Sequence, residues 1–407
     1  MIFVGVDWAE VHHDVCVLDG EGNVLGRRRI ADSFAGVGEL HALVAEHLGD
    51  DDDASQVVVG IEKDRGLIVT AMLAANYQVY GINPMAAAHY RDRHHVSGAK
   101  SDPGDAKMLA DLVRTDRQNH RAVAGDSALV NGVQVLARAH QNVIWGRQRQ
   151  VNTLRSALKD YYPGALEAFG TDLSHMDAVA VLSVAPTPAL GRSLSRTKLV
   201  AALKRGGRQR QIEKRAVVIH EALRREQLSQ PAVLEDAYGQ VTSSIVRTIA
   251  HMTTEIDELE RALTESFEQH PSAKIVHSLP GMGTVLATRV LGEFGDDPNR
   301  YADAKSRKNY AGTSPVTKAS GKSKVVLARY SRNKRLAGAL DQWAFCSIIR
   351  SPGARQYYDE LRARDKSHRK AVRQLANRWV GILHECLERD CIYDEQIAWP
   401  TPSEIAA

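Results

Sequence analysis

Residues 2–30 read IFVGVDWAEVHHDVCVLDGEGNVLGRRRI, and the fold class turns on how they are parsed. IFVGVDW is a short apolar, β-rich run, HDVCVLD alternates, DGEGN supplies turn residues, and VLGRRRI resumes an extended pattern. That is a meander of three strands. Beyond it, FAGVGELHALVAEHL (34–48) has helical spacing and ends in the acidic loop GDDDDAS. QVVVGIE (56–62) has the unbroken β-branched character of a strand covered on both faces. A helix is expected around residues 66–75, a fifth strand at YQVYGIN (77–83), and further helices from Pro84 and from Asp102. The order βββαβαβα, a meander continuing into parallel strands with crossover helices, indicates an α/β domain over residues 1–125.

A chain of 407 residues has room for two or three domains, at about 150 residues each. No apolar run reaches the ~18 residues of a membrane span. The start, MIFVGVDWAE, lacks the basic-then-apolar layout of a secretory signal. Cys16, Cys346, Cys386 and Cys391 show no framework spacing, which suits a reducing cytoplasm. His384, Cys386 and Cys391 lack the second Cys/His pair that a zinc site needs. The net charge of +4 is unevenly spread: residues 300–373 carry nineteen Lys/Arg against five Asp/Glu. A polyanionic partner would explain that asymmetry, and so would a solvated basic face.

After about residue 125 the pattern becomes helical. An apolar seam with three/four spacing runs from Leu129 to Leu158, and a second from Leu234 to Phe267. They predict long helices in a coiled coil or bundle, pairing within the chain or across a dimer. Gly and Pro punctuate residues 162–192, and KRGGRQRQIEKR then opens a further helical stretch. From about residue 272 a compact basic domain begins with IVHSLPGMGTVLATRVLGEFGD, read as helix, tight turn, helix. Gly281 and Gly283 allow close backbone approach, and the free N–H groups of the next helix suit a phosphate. This is similar to the helix-hairpin-helix of DNA-binding proteins. The divisions are therefore 1–125, 126–271, 272–395 and a tail of 396–407.

The carboxylates carry the chemistry. Asp7 ends the first strand and Glu62 ends the fourth, both costly in an apolar setting unless paired or metal-bound. If those strands are neighbours, both project from one sheet edge. Asp102 and Asp105, in SGAKSDPGDAKMLADLVR (97–114), stand three apart and face one side of a helix. Four converging carboxylates suit two divalent cations about 3.5–4 Å apart, the arrangement of phosphodiester chemistry. Asp102 taken singly is also a good N-cap. Asp14, Asp64 and Asp111 are less well placed. His94 and His95 are expected to meet nucleic acid or solvent.

The ordered set Asp7, Glu62, Asp102, Asp105 resembles the DEDD site of RuvC-type Holliday-junction resolvases, whose fold is RNase H-like. KSDPGDA, LPGMGTVLATRVLGEFGD and YAGTSPVTKASGKS are together similar to the signatures of the insertion-sequence-110 family of DEDD transposases. The resemblance covers nearly the whole chain. It departs after Glu62, where Lys63-Asp64-Arg65-Gly66 replaces a frequent Thr-Gly pair, and at Gly312-Thr313-Ser314-Pro315, where the family usually has Gly-Leu-x-Pro.

The resemblance implies a RuvC-like domain, a coiled-coil middle and a C-terminal transposase domain holding a nucleophilic serine. The matching position is Ser320 in KASGKS. Read alone, a Ser-Gly pair in a basic loop is more often a turn, and Ser314 and Ser323 are close rivals. Lys318, Lys322 and Lys324 would offset phosphate charge, with Gly281, Gly283, Arg332, Lys334 and Arg335 completing the expected nucleic-acid contacts. The resemblance further implies Mg²⁺ or Mn²⁺, donor and target DNA, a non-coding guide RNA, and a dimer or tetramer in the bacterial cytoplasm, at the nucleoid when active. No GxxxxGK[ST] motif signals a nucleotide cofactor. Two rivals remain: a metal-dependent resolvase-like nuclease in which water attacks, and a non-catalytic nucleic-acid-binding protein.

Overall fold

The computed structural model describes residues 1–49, 53–94, 101–123, 125–320, 323–329 and 332–400. His95 and Lys322, singled out above, lie outside them. The chain divides into two compact units, Met1–Gly125 and Asp126–Ala407.

The first unit is built on β1 (Ile2–Trp8), β2 (His12–Leu18) and β3 (Val24–Ala31), the expected antiparallel meander. α1 (Phe34–Ala45) is capped by Ser33, whose hydroxyl accepts from Gly36 N–H. β4 (Val57–Ile61) lies parallel to β1 and is buried throughout, as its valines require. α2 (Leu67–Ala74) crosses to β5 (Gln78–Gly81), parallel to β4. α3 (Pro84–His94), α4 (Asp102–Asp116) and a two-residue β6 (Arg121–Ala122) complete the unit, β6 pairing antiparallel with β5. The six strands lie in the order β3-β2-β1-β4-β5-β6. β3 is an edge strand blunted by Arg27, Arg28 and Arg29. This mixed sheet with crossover helices is the α/β architecture expected, and it is consistent with an RNase H-like domain.

The second unit is mostly helical. α5 (Ala128–Tyr161) leads into five short helices: α6 (Pro163–Phe169), α7 (Met176–Val184), α8 (Pro188–Ser193), α9 (Arg196–Arg205) and α10 (Ile212–Arg224). α11 (Ala232–Glu268) returns antiparallel along α5, since Arg147 meets Thr253 while Tyr161 meets Thr242. The two apolar seams therefore face each other within the chain. Then come α12 (Ala273–Ser278), α13 (Thr284–Phe294), α14 (Ala304–Ala311), the antiparallel hairpin β7 (Val316–Ser320) and β8 (Ser323–Leu327), α15 (Lys334–Ser347), α16 (Pro352–Ala363), α17 (His368–Glu388) and α18 (Glu395–Ala398). Trp343 and Trp379, both fully buried with centroids 5.2 Å apart, centre this core. No helix among the described residues is long and apolar enough to cross a membrane.

Candidate active site

Backbone register brings the acidic residues together before any side chain is considered. Val6 pairs with Ile61 across the parallel β1/β4 ladder, so Asp7 and Glu62 follow side by side on one face. Across the antiparallel β1/β2 ladder Asp7 pairs directly with Asp14. Asp14, Asp7 and Glu62 thus form a row over three adjacent strands.

α4 is laid over that row by two glycines. Gly5 and Gly60 are register partners, each two residues before the acid near its strand's C-terminal end. A Cβ on Gly5 would stand 1.8 Å from the Ala106 carbonyl oxygen, and one on Gly60 2.5 Å from that of Leu109. The missing side chains let the helix backbone rest on the sheet. Ser101 takes the N-cap position and Asp102 the first helical one; the Asp102 carboxylate faces Arg29 at 3.4 Å instead of closing the helix. Asp105, one turn on, is buried.

The electrostatics record the crowding. Asp7 is pushed up to about 6, by burial first and then by Asp105, Asp102, Glu62 and Asp14. Glu62, Asp102, Asp105 and also Asp14 therefore all lie near enough to Asp7 for their charges to act on it. Two arginines offset part of the charge. Arg91 of α3 donates to Asp105 from Nη2 at 2.8 Å and from Nε at 3.1 Å. Arg29 of β3 grips Asp14 through Nη2 at 2.8 Å and Nε at 3.2 Å while reaching Asp102. His12, Asp14 and Asp102 place ligand atoms within 4.8 Å of one another, a group able to hold a metal ion. Five carboxylates against two guanidiniums leave an excess of oxygen donors that fits hard divalent cations. Lys63, which departs from the family pattern, puts Nζ 3.5 Å over the Trp8 ring beside the site.

Asp14, His12, Arg29 and Arg91 were not singled out in the sequence as parts of this cluster. Asp14 could have been found by counting outward from the β1–β2 turn, where it falls opposite Asp7. The arginines sit on an edge strand and a surface helix and carry no such signal.

In the second unit, Ser320 ends β7, exposed and paired with Ser323. Lys318 shares its face, two residues back, whereas Lys324 pairs with Ala319 on the opposite face. Ser314 is half-buried, its N–H directed to the Lys308 carbonyl. Gly281 has φ +78°, and the space of its absent Cβ is filled by the backbone of Cys346 and Ser347, so its first service is to the fold. Gly283 opens α13 with open space where a Cβ would stand. Arg332 donates to the Gly312 carbonyl; Arg335 donates to Asn142 and lies 4.9 Å over Trp145; Lys334 is exposed.

Comparison with known proteins agrees with this layout. Residues 4–163 match the family model of the DEDD transposases of IS110 type, described as "Transposase". Residues 273–359 match "Transposase IS116/IS110/IS902 family". The "Mini-circle putative transposase for IS117" of Streptomyces coelicolor is 42% identical over 100% of this chain and 98% of its own length. A 42 kDa protein of insertion element IS900 from Mycobacterium paratuberculosis is 26% identical over 96% of this chain and 97% of its own. A 44.8 kDa protein of insertion element IS116 from Streptomyces clavuligerus is 26% identical over 98% and 97%. The chain belongs to the IS116/IS110/IS902 family of DEDD transposases.

Proposed function

We propose that this transposase cuts and rejoins DNA through Ser320, assisted by divalent cations held at Asp7, Glu62, Asp102 and Asp105. The observation that carries the reading is the gathering of those carboxylates about Asp7, which burial first and then their charges raise to about 6. Mg²⁺ or Mn²⁺ held there would supply Lewis-acid stabilisation of the charge on the scissile phosphate and its leaving oxygen. The residues do the rest. The Ser320 oxygen attacks the scissile phosphorus, the bond to the deoxyribose oxygen breaks, and the serine proton ends on that oxygen. A phosphoserine–DNA link conserves the bond energy, and the reverse attack by a new DNA end restores the serine. Lys318, on the Ser320 face, offsets phosphate charge.

Two such centres are required for strand exchange, so the protein works as a dimer or tetramer. The basic stretches around residues 300–373 take donor and target DNA. Guidance by a non-coding RNA fits a chain without a recognition-helix signature. The work would be done in the bacterial cytoplasm, on nucleoid DNA.

Incubation with labelled element-end DNA, the adjacent non-coding RNA and Mg²⁺, followed by a denaturing gel, tests the reading. A protease-sensitive adduct lost in Ser320→Ala and in Asp102→Ala is expected. Cleavage without an adduct, at an unchanged rate in Ser320→Ala, would make the protein a hydrolytic nuclease of the resolvase kind. Mg²⁺-independent binding without cleavage would leave a non-catalytic binder.

A further inference from the structure

Helix α17 ends in a turn that sets two cysteines against each other. Arg389 caps the helix, and Asp390 follows with φ +48°, the left-handed position where glycine is usual. The N–H of Asp390 reaches the Leu387 carbonyl at 3.4 Å, and that of Cys391 reaches the Cys386 carbonyl at 3.0 Å. These are the paired bonds of a Schellman motif, whose two outer residues, here Cys386 and Cys391, bring their side chains into contact. With 3.0 Å between that nitrogen and oxygen, standard bond lengths hold the two Cα atoms to less than about 7 Å, which a disulfide can span. Burial pushes the Cys386 thiol up to about 11, and the neighbouring Cys391 thiol adds to the rise through its charge and through hydrogen bonding.

Cys391 is held in place from both sides. Beyond it the chain is anchored at Tyr393, whose N–H donates to Ser278 Oγ at 2.8 Å and whose ring centroid lies 5.5 Å from that of Trp379. Trp399 closes on the same indole at 5.5 Å, and Glu395 accepts from Ser351 Oγ and Gly353 N–H at 2.8 Å each. The segment from Cys391 to Trp399 is therefore a strap laid on α12, α16 and α17. Both cysteines line a cavity of ≈ 520 Å³ between α14, α17 and this strap. The two differ in access: Cys386 is 6% exposed, whereas Cys391 is open to solvent.

We propose that Cys386 and Cys391 are a reversible disulfide pair, closed by a small-molecule disulfide and fastening the strap to α17. In the first step the Cys391 thiolate attacks one sulfur of the reagent, whose S–S bond breaks and releases a thiolate. Cys386 then gives up its proton and attacks Cys391 Sγ, releasing the second thiolate. The protein loses two hydrogens and two electrons, and the reagent gains them as two thiols. Because Cys386 is buried, an incoming thiol meets Cys391 Sγ first. Attack there must expel Cys386, a poor leaving group because its thiol is so weakly acidic, so the bond resists reduction. None of the residues assigned to DNA cleavage takes part.

Exposure of the reduced full-length protein to glutathione disulfide, followed by alkylation and mass spectrometry, tests this. The wild type should lose two hydrogens and two alkylatable thiols, with no glutathione retained. Trypsin cuts after Arg389, so the peptides on either side should stay joined until reduced. Cys386→Ser should instead hold one glutathione on Cys391, and Cys391→Ser, altered at an exposed position, should take none on Cys386. A monothiol should open the wild-type bond about tenfold or more slowly than it strips glutathione from Cys386→Ser. Should Cys386→Ser fail to fold, the joined peptides of the wild type and the protection of Cys386 in Cys391→Ser carry the test. Glutathione that stops on Cys391 in the wild type, or a bond from either cysteine to Cys346 or to a second chain, overturns the proposal. So does a protein in which neither cysteine reacts, or a bond that opens as fast as the mixed disulfide.

Discussion

At the scale of single residues, the site depends as much on two absent side chains as on the carboxylates. Gly5→Ala would drive a methyl group into the Ala106 carbonyl, and neither backbone can yield cheaply. The expected cost is about 1–3 kcal/mol or more, read as a lowered midpoint of unfolding together with weaker Mn²⁺ binding, because α4 carries Asp102 and Asp105. Asp7→Asn should act in the opposite direction. With Asp7 raised to about 6, the metal-free protein binds the extra proton between about pH 4 and 6 and the unfolded chain does not. Stability is thus highest below the unfolded value and falls as pH rises through the folded one. In EDTA at pH 7.5 the asparagine variant should be more stable by about 1 kcal/mol, solvent screening a half-exposed group. The gain should vanish below pH 4. A chemical-denaturation series over pH checks both the sign and the window. Asp7 and Glu62 were legible because an acid that ends an apolar β run stands out. The Gly-x-acid pattern of GVD and GIE was equally present and points to the close approach of α4. Asp14 was not legible without the register.

At the scale of elements, long seams were easier to read than short helices. α5 and α11 repeat their apolar spacing over more than thirty residues each, whereas α6 and α8 start at Pro163 and Pro188. Those prolines read as punctuation in the sequence; in the fold they take the first helical position, where no N–H is needed. The β7–β8 hairpin escaped notice as well, since its residues are exposed on both faces and show no apolar alternation. α5 is tied to α13 by Arg138, which donates from Nε and Nη2 to the buried Glu293 at 2.8 Å each; Asn333 donates to the same carboxylate. Burial pushes Glu293 up, but those hydrogen bonds and the Arg138 charge bring it below the usual range. Its stabilisation is therefore present above the unfolded value and lost as pH falls through the folded one. Glu293→Gln should flatten the loss of stability below pH 4.5. Arg138→Ala, which strands a buried carboxylate, should cost about 3–5 kcal/mol. Thermal unfolding from pH 3 to 7 measures both.

At the scale of the whole molecule, the two matched regions, 4–163 and 273–359, flank a stretch that contains α7–α10. Fold class and the carboxylate order could be read because each strand end is local in sequence. The counter-ions Arg29 and Arg91 could not, because they arise from packing between elements distant along the chain. The account rests on the acidic cluster being a metal centre, and direct Mn²⁺ binding to the full-length protein, by calorimetry or by electron paramagnetic resonance, tests that most simply. Saturable binding is predicted in the wild type, with at least tenfold weaker binding in Asp7→Asn, Glu62→Gln and Asp105→Asn and little change in Ser320→Ala. A wild type that binds no Mn²⁺, or carboxylate variants that bind it as well as the wild type, would contradict the account.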